Sequence, residues 1–201
     1  MLTREAIIGA ARAQVETGGF ETLSLRAVAR QLGVTAPALY DHVGSKAELS
    51  SLVAAAGYEE LVEAFHRVSN PAVVDRLRGR ALAYVDFAVA HPELFRLMFQ
   101  YRPAEVLIEV DNELPAATAA FEANLADVAE AVRQGVLADR DVLDLSMALW
   151  ASVHGVATVA QMVPAGSHER LAGQVIDAML TGLRPVDQAR WAPTTSQRSV
   201  R

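Results

Sequence analysis

The chain has 201 residues, 52% of them apolar and 21% charged, with a formal net charge of −6 and no cysteine. That length fits one large domain or two small ones, and a chain of this size buries about 70% of its unfolded surface; Leu, Ile, Val and Phe are too abundant for a disordered chain. The absence of cysteine excludes a disulfide scaffold, a thiolate metal site and a cysteine nucleophile.

Alanine is the commonest residue and isoleucine is scarce. Alanine is the best helix former and β-branched residues favour strands, so the composition predicts an all-α protein. The N-terminus, MLTREAIIGA, carries Arg4 and Glu5 where a secretory signal needs an apolar run, so a cytoplasmic protein is expected. Cap signals then divide the chain. Thr3 caps a first helix to about Gly18, with Ile7, Ile8, Ala11 and Val15 on one face. Ser24 caps a second from Leu25 to Leu32, stopped by Gly33, and Thr35 caps a third from Ala36 to His42. Ser45-Lys46-Ala47-Glu48 reads as a capping box opening a long helix to about Val68. Asn70-Pro71 starts a helix to about Ala90, and His91-Pro92 a short one to about Gln100. Pro103 and Pro115 break the chain before a helix ending near Gly135. Asp139 is expected to cap a helix to about Val163, and Ser167 the last one, to about Gly182. The polar tail, 185–201, reads as disordered.

The segment from Leu145 to His168 has no Asp, Glu, Lys or Arg, which passes the first test for a membrane span. His154, Thr158 and Gln161 make a polar stripe along it, and no Lys or Arg cluster flanks it. A buried helix at a subunit interface has the same composition, so no membrane partner is expected.

The first fifty residues carry the functional signal. Two short helices meet at Gly33-Val34-Thr35, with Ala29 small enough for close approach and Gly33 free to take positive φ. Val28, Leu32, Val34, Leu39 and Val43 form the inner faces. This is a helix-turn-helix pattern, and its second helix presents Thr35, Ala36, Ala38, Tyr40 and Asp41-His42 outward as a groove-reading helix must. Thr35, Ala36 and Ala38 offer a hydroxyl and methyl groups to base edges. The Tyr40 phenol and Arg26 can reach phosphate, and Lys46 stands at a helix N-terminus, where backbone N–H groups already favour an anion. The first fifty residues hold five basic and five acidic groups, so this head lacks the strongly basic footprint of most DNA binders.

From Thr3 to about Leu52 the order of elements resembles the tetracycline-repressor (TetR) family of transcription regulators. The match runs through Ile7-Ile8, Ala11, Gly18-Gly19-Phe20, Thr22-Leu23-Ser24-Leu25, Val28-Ala29, Gly33-Val34-Thr35, Leu39-Tyr40, His42-Val43 and Ser45-Lys46 to Glu48-Leu49. The resemblance implies a homodimeric, all-helical repressor whose N-terminal helices bind double-stranded operator DNA and whose C-terminal helices enclose a small-molecule effector. It also implies phosphate contacts at Lys46 and Tyr40. Trp150-x3-His154-Gly155 resembles a C-terminal element of one branch of that family. The expected division is 1–45 for DNA binding and 46–184 for ligand binding and dimerisation.

Within the body, Tyr84, Phe87, His91, Phe95, Met98, Phe99, Trp150 and His154 are the expected lining of an apolar pocket with two orienting polar groups. Ala148, Ala151, Ser152, Gly155, Val156, Val159 and Val163 on one helix, with Leu171, Val175 and Met179 on the last, are the expected dimer interface. Glu63-x-x-His66 is half of a di-iron motif with no second copy, and the other histidines have no metal spacing. No nucleophile elbow, phosphate loop or dinucleotide fingerprint occurs, so no catalytic residue, metal or cofactor is expected. The neutral head leaves a second reading open, a helical ligand-binding or scaffolding protein without DNA binding.

Overall fold

The computed structural model describes residues 2–100, 115–164 and 166–185. The break at Pro103 and the tail from residue 186 lie outside them. Every helix of the sequence reading is present among the described residues: α1 Arg4–Gly18, α2 Leu25–Gln31, α3 Ala36–Tyr40, α4 Lys46–Arg67, α5 Val73–Ala90, α6 Pro92–Gln100, α7 Pro115–Arg133, α8 Val142–Ala160 and α9 His168–Gly182. A single 3₁₀ turn, Phe20–Thr22, joins α1 to α2.

Local chemistry sets most boundaries. The Thr3 hydroxyl accepts from the Ala6 N–H at 3.2 Å, and α1 ends at Gly19, whose φ of 78° closes the helix through its N–H to the Val15 carbonyl. Gly33, at φ 68°, makes the turn between α2 and α3. Ser45 Oγ accepts from the Glu48 N–H at 3.0 Å, but the Glu48 carboxylate reaches back to the Gly44 N–H rather than that of Ser45. Four expected ends shift. The eighth helix stops at Ala160, three residues before Val163. Asp141, not Asp139, caps α8, accepting from the Asp144 N–H at 3.0 Å. Asn70 Oδ1 accepts from the Ala72 N–H, so Asn70-Pro71 is a turn and α5 starts at Val73. The third helix stops at Tyr40, where the His42 N–H already bonds back to the Leu39 carbonyl. Ser24 and Ser167 occupy N-cap positions without a side-chain cap bond.

The apolar interior falls into two clusters. The larger runs unbroken from the N-terminal helices into the body, from Ile7, Val15, Val28 and Leu39 through Leu49, Val53 and Leu61 to Tyr84, Phe95, Met98 and Ala157. Fully burying one such side chain stabilises the fold by about 1.5–3 kcal/mol. The smaller fills the far end of the body with Val73, Leu77, Val128, Leu145, Leu149, Ile176 and Leu180. The long α4 is the spine, packed on α1 at one side and on α5, α6 and α7 at the other. At Gly57 it meets α6 so closely that an added Cβ would lie 2.8 Å from Met98 Sδ and 3.3 Å from Leu94.

Candidate functional site

In the head, Leu39 is the one fully inward residue of α3. Thr35 caps the helix and stays exposed, as do Arg26, Tyr40 and His42, while Ala36 and Ala38 are half-buried. Tyr40 is 51% exposed, which leaves its phenol accessible at the end of α3. Lys46 is half-buried at the start of α4. Its Nζ donates to the Glu21 carbonyl at 3.0 Å and stands 5.1 Å from the Phe20 ring centre. A shallow groove of about 350 Å³ lies between α1 and α2, lined by Gln14, Thr17, Thr22, Ala27, Arg30 and Gln31.

In the body, the structure gathers most of the expected lining around His154. Its ring centre lies 4.5 Å from Phe99, 5.3 Å from Trp150 and 5.4 Å from Phe95, and its Nδ1 shares a 2.9 Å hydrogen bond with the Tyr84 hydroxyl. Phe95 and Phe99 pack at 4.6 Å. Side chains from three helices, α5, α6 and α8, thus converge. Met98 is fully buried beneath Gly57, with its carbonyl accepting from Tyr58 Oη at 3.1 Å. Tyr58 was missed by the sequence reading, although its position on the inner face of α4 is a 3.6-residue pattern signal.

His91 is not among these groups. It stands at the α5–α6 corner, and its Nδ1 lies 3.1 Å from Glu16 Oε1 and its Nε2 3.5 Å from Glu60 Oε1. Arg12 of α1 binds Glu16 at 2.9 Å and Glu60 at 2.6 Å. Burial opposes ionisation of Glu16, but hydrogen bonds from Arg12 and then His91 outweigh it and hold its carboxyl below the ordinary range. Phe87 is core, with its ring 5.2 Å from that of His91. Next to this corner, Arg96 of α6 pairs with Glu21 of the head at 2.8 Å. The corner therefore ties α1 to the body by charge pairs, and only spatial contact reveals it, because the partners lie far apart in sequence.

A second charge network was also missed. Arg76 and Arg80, one turn apart on α5, face Asp127 and Glu130 on α7. Asp127 is 5% exposed and lies 3.1 Å from Arg76 and 2.7 Å from Arg80. The hydrogen bond to Asp127 is the main cause that raises the Arg76 pKa. The one-turn spacing of two bases and of two acids was the available signal.

On the proposed dimer face, Ala151, Gly155 and Val159 are exposed and Ala148, Ser152 and Val163 half-buried. Val156 turns inward instead, at 6% exposure in the larger core, because it lies on the side of α8 that packs against its own chain, where α8 meets α5, α7 and α9. Leu171, Val175 and Met179 are partly buried against their own chain's clusters. Leu143 and Met162 extend the exposed apolar face at the two ends of α8. Among the described residues this helix alone is long and apolar enough to cross a membrane, a test that a covered interface helix also passes. Asp86 of α5 and the adjacent His168 and Glu169 at the start of α9 bring one donor atom each within 4.8 Å of one another, and His168 pairs with Asp86 at 3.3 Å.

A helix-turn-helix head joined by charge pairs to a helical body with an aromatic centre defines a helix-turn-helix transcription regulator. Residues 7–53 match the family of bacterial regulatory proteins called tetR, and residues 77–183 match the tetracycline repressor-like C-terminal domain. The chain belongs to the TetR family. It is 26% identical over 155 residues to an HTH-type transcriptional regulator of Mycobacterium tuberculosis, covering 77% of this chain and 68% of the relative. To an HTH-type transcriptional regulator of Mycobacterium bovis it is 31% identical over 97 residues, 46% of this chain and 42% of the relative. A protein of unknown function from a Rhodococcus species superposes with a TM-score of 0.79 at 27% identity, over 90% of this chain and 95% of that one. A TetR variant of Acinetobacter baumannii in complex with minocycline shares the fold, with a TM-score of 0.66 at 21% identity over 92% of this chain and 100% of that one.

Proposed function

We propose that this chain acts in the cytoplasm as a homodimeric repressor that leaves a palindromic operator when an apolar small molecule enters the body. The reading divides it into a head, 1–45, and a body, 46–184, in the branch marked by Trp150, His154 and Gly155. One observation carries it. The same short helix, α6, lends Phe95 and Phe99 to the aromatic cluster and Arg96 to an ion pair with Glu21 of the head. A molecule that displaces α6 from one side therefore acts on the head from the other.

The physical mechanism is a population shift. Two dimer states differ in the spacing of their reading helices, and the effector favours the state that fits the operator less well. A 100-fold preference is worth about 2.7 kcal/mol per site. Half-sites lie about 34–36 Å apart, one DNA turn, or a multiple of it. Arg26, Tyr40 and Lys46 contact phosphate, and Thr35, Ala36, Ala38 and His42 face the bases. Dimerisation uses the small-residue face of α8 around Ala151 and Gly155. A Cβ on Gly155 meets nothing within 4 Å in the single chain, so Gly155→Leu spares the protomer and separates the dimer, read as a halved mass in light scattering.

The test is titration of the dimer with a DNA fragment from its own promoter across a salt series. Lys46→Ala removes one phosphate contact per subunit, so the slope of log affinity against log salt falls by about two per dimer, equally for all sequences. A Lys46→Ala protein with an unchanged slope and altered sequence preference removes the phosphate role. No salt-dependent binding by the unmodified dimer favours the ligand-binding protein without DNA binding, which the neutral head otherwise keeps in play.

A further inference from the structure

The apolar interior of the body falls into two clusters that Val153 bridges on α8, while polar side chains stand between them on α5 and α7. On α7, Ala117 and Ala120 belong to the larger cluster and Val128 and Ala131 to the smaller. Between them, one turn from each, stands Asn124, with Nδ2 buried and without a partner. On α5 the matching interval, between Leu77 and Tyr84, holds Arg80, with Nε buried and without a partner. Arg80 Nη1 donates to the carbonyl of Ala123, the residue before Asn124, so the two interruptions meet across α5 and α7. On α8 the fully buried Ser146 also has an unpartnered Oγ, one turn before Trp150.

The charges of this layer already cancel. Arg76 and Arg80 are matched by Asp127 and Glu130, with Asp127 2.7 Å from Arg80. What remains open on Arg80 is a hydrogen-bond donor, since a guanidinium cannot accept, and Asp127 Oδ2, although ion-paired with Arg80 Nη1 at 2.7 Å, does not meet Nε and is itself without a hydrogen-bond partner. A buried donor without an acceptor is unfavourable, and the aromatic cluster begins one turn further along both α5 and α8, at Tyr84 and Trp150.

We infer that this layer receives the polar end of the effector, an uncharged carbonyl-type acceptor bonded by Arg80 Nε and Asn124 Nδ2, while its ring or chain packs against Tyr84, Phe95, Phe99 and Trp150. The inference rests on the effector site proposed above. A carboxylate is disfavoured, because Asp127 and Glu130 already neutralise both arginines and a further anion would be buried unpaired. A plain hydrocarbon is disfavoured because it leaves the donors without acceptors.

Three probes sharing one ring system separate these cases on the full-length dimer by calorimetry: naphthalene, 2-acetylnaphthalene and 2-naphthoate. The acetyl compound binds about tenfold more tightly than naphthalene, and the carboxylate binds most weakly. Arg80→Lys keeps a charge beside Asp127 and deletes Nε; Asn124→Leu deletes the amide. In each, naphthalene binds as before and the advantage of the acetyl compound falls to about twofold or less. If Asn124→Leu fails to fold, Arg80→Lys alone decides. Equal binding of the three probes to the unmodified dimer, tightest binding of 2-naphthoate, or an acetyl advantage that survives Arg80→Lys overturns the polar-layer inference and leaves the body as the effector site. Binding by none of the three overturns both.

Discussion

The two helices of the helix-turn-helix are seven and five residues long, whereas those of the body run from nine to 22. A five-residue helix does not hold by itself in water. The head therefore takes its order from outside its own helices: from the Thr35 cap, from Leu39 beneath, and from a core that continues into α4. The side chains proposed to contact DNA lie at its surface and carry little of the stability. The body has the reverse arrangement. The side chains proposed to meet an effector are its interior, so aromatic packing and buried charge pairs serve the fold and the proposed site together. Substitutions at head contacts should change function with little change in stability, and those in the body should change both.

Asp127→Ala is the severest way to sharpen the contrast. It leaves Arg76 and Arg80 without the carboxylate between them, and loss of one partner from a buried network costs about 3–5 kcal/mol. Denaturant unfolding of the dimer measures it, and a loss below about 1 kcal/mol would show that the network is solvated. Leu39→Ala comes next. It empties a fully buried site in α3, for about 2–4 kcal/mol of local stability. Hydrogen exchange should rise across α2 and α3 while the body stays protected; uniform loss of protection in both regions breaks the distinction drawn here.

The smallest effect tests the tie between the two regions. Glu16 has a lowered pKa in the folded protein, so its contribution is complete above the ordinary carboxylate value and is lost as pH falls through the lowered one. The side chain is 35% exposed, and solvent screening keeps the effect below about 1 kcal/mol. Glu16→Gln should lower the melting temperature slightly at neutral pH and narrow the gap between neutral and acid melts. An identical acid sensitivity in the variant assigns that sensitivity elsewhere.

The head was legible in the sequence because its determinants are local. Thr3, Thr35 and Ser45 lie three residues from the N–H groups they cap, and Gly33 sits at the turn it permits. The aromatic cluster was legible too, since helical spacing turns Tyr84, Phe95, Phe99, Trp150 and His154 inward. His91 was misplaced for a reason of the same kind. It follows Phe87 at helical spacing, but α5 ends there and the ring meets Glu16, 75 positions back. Asp139 and Asp141 compete for one cap, and the turn before α8 decides between them. The polar layer was out of reach because each of its residues is ordinary alone. Arg80, Asn124 and Asp127 acquire meaning only across the α5–α7 contact.

Gly57 sets how movement passes along the molecule. With Met98 and Leu94 seated against its bare Cα, α4 and α6 mesh like teeth at one notch. Close-packed surfaces have few rest positions between which to choose. A disturbance of α6 too small to clear the notch is absorbed by side-chain adjustment, and one large enough moves α4 by a whole step. On the proposed effector mechanism such a notch gives a threshold, poorly seated molecules leaving α4 in place and one that fills the site moving it fully.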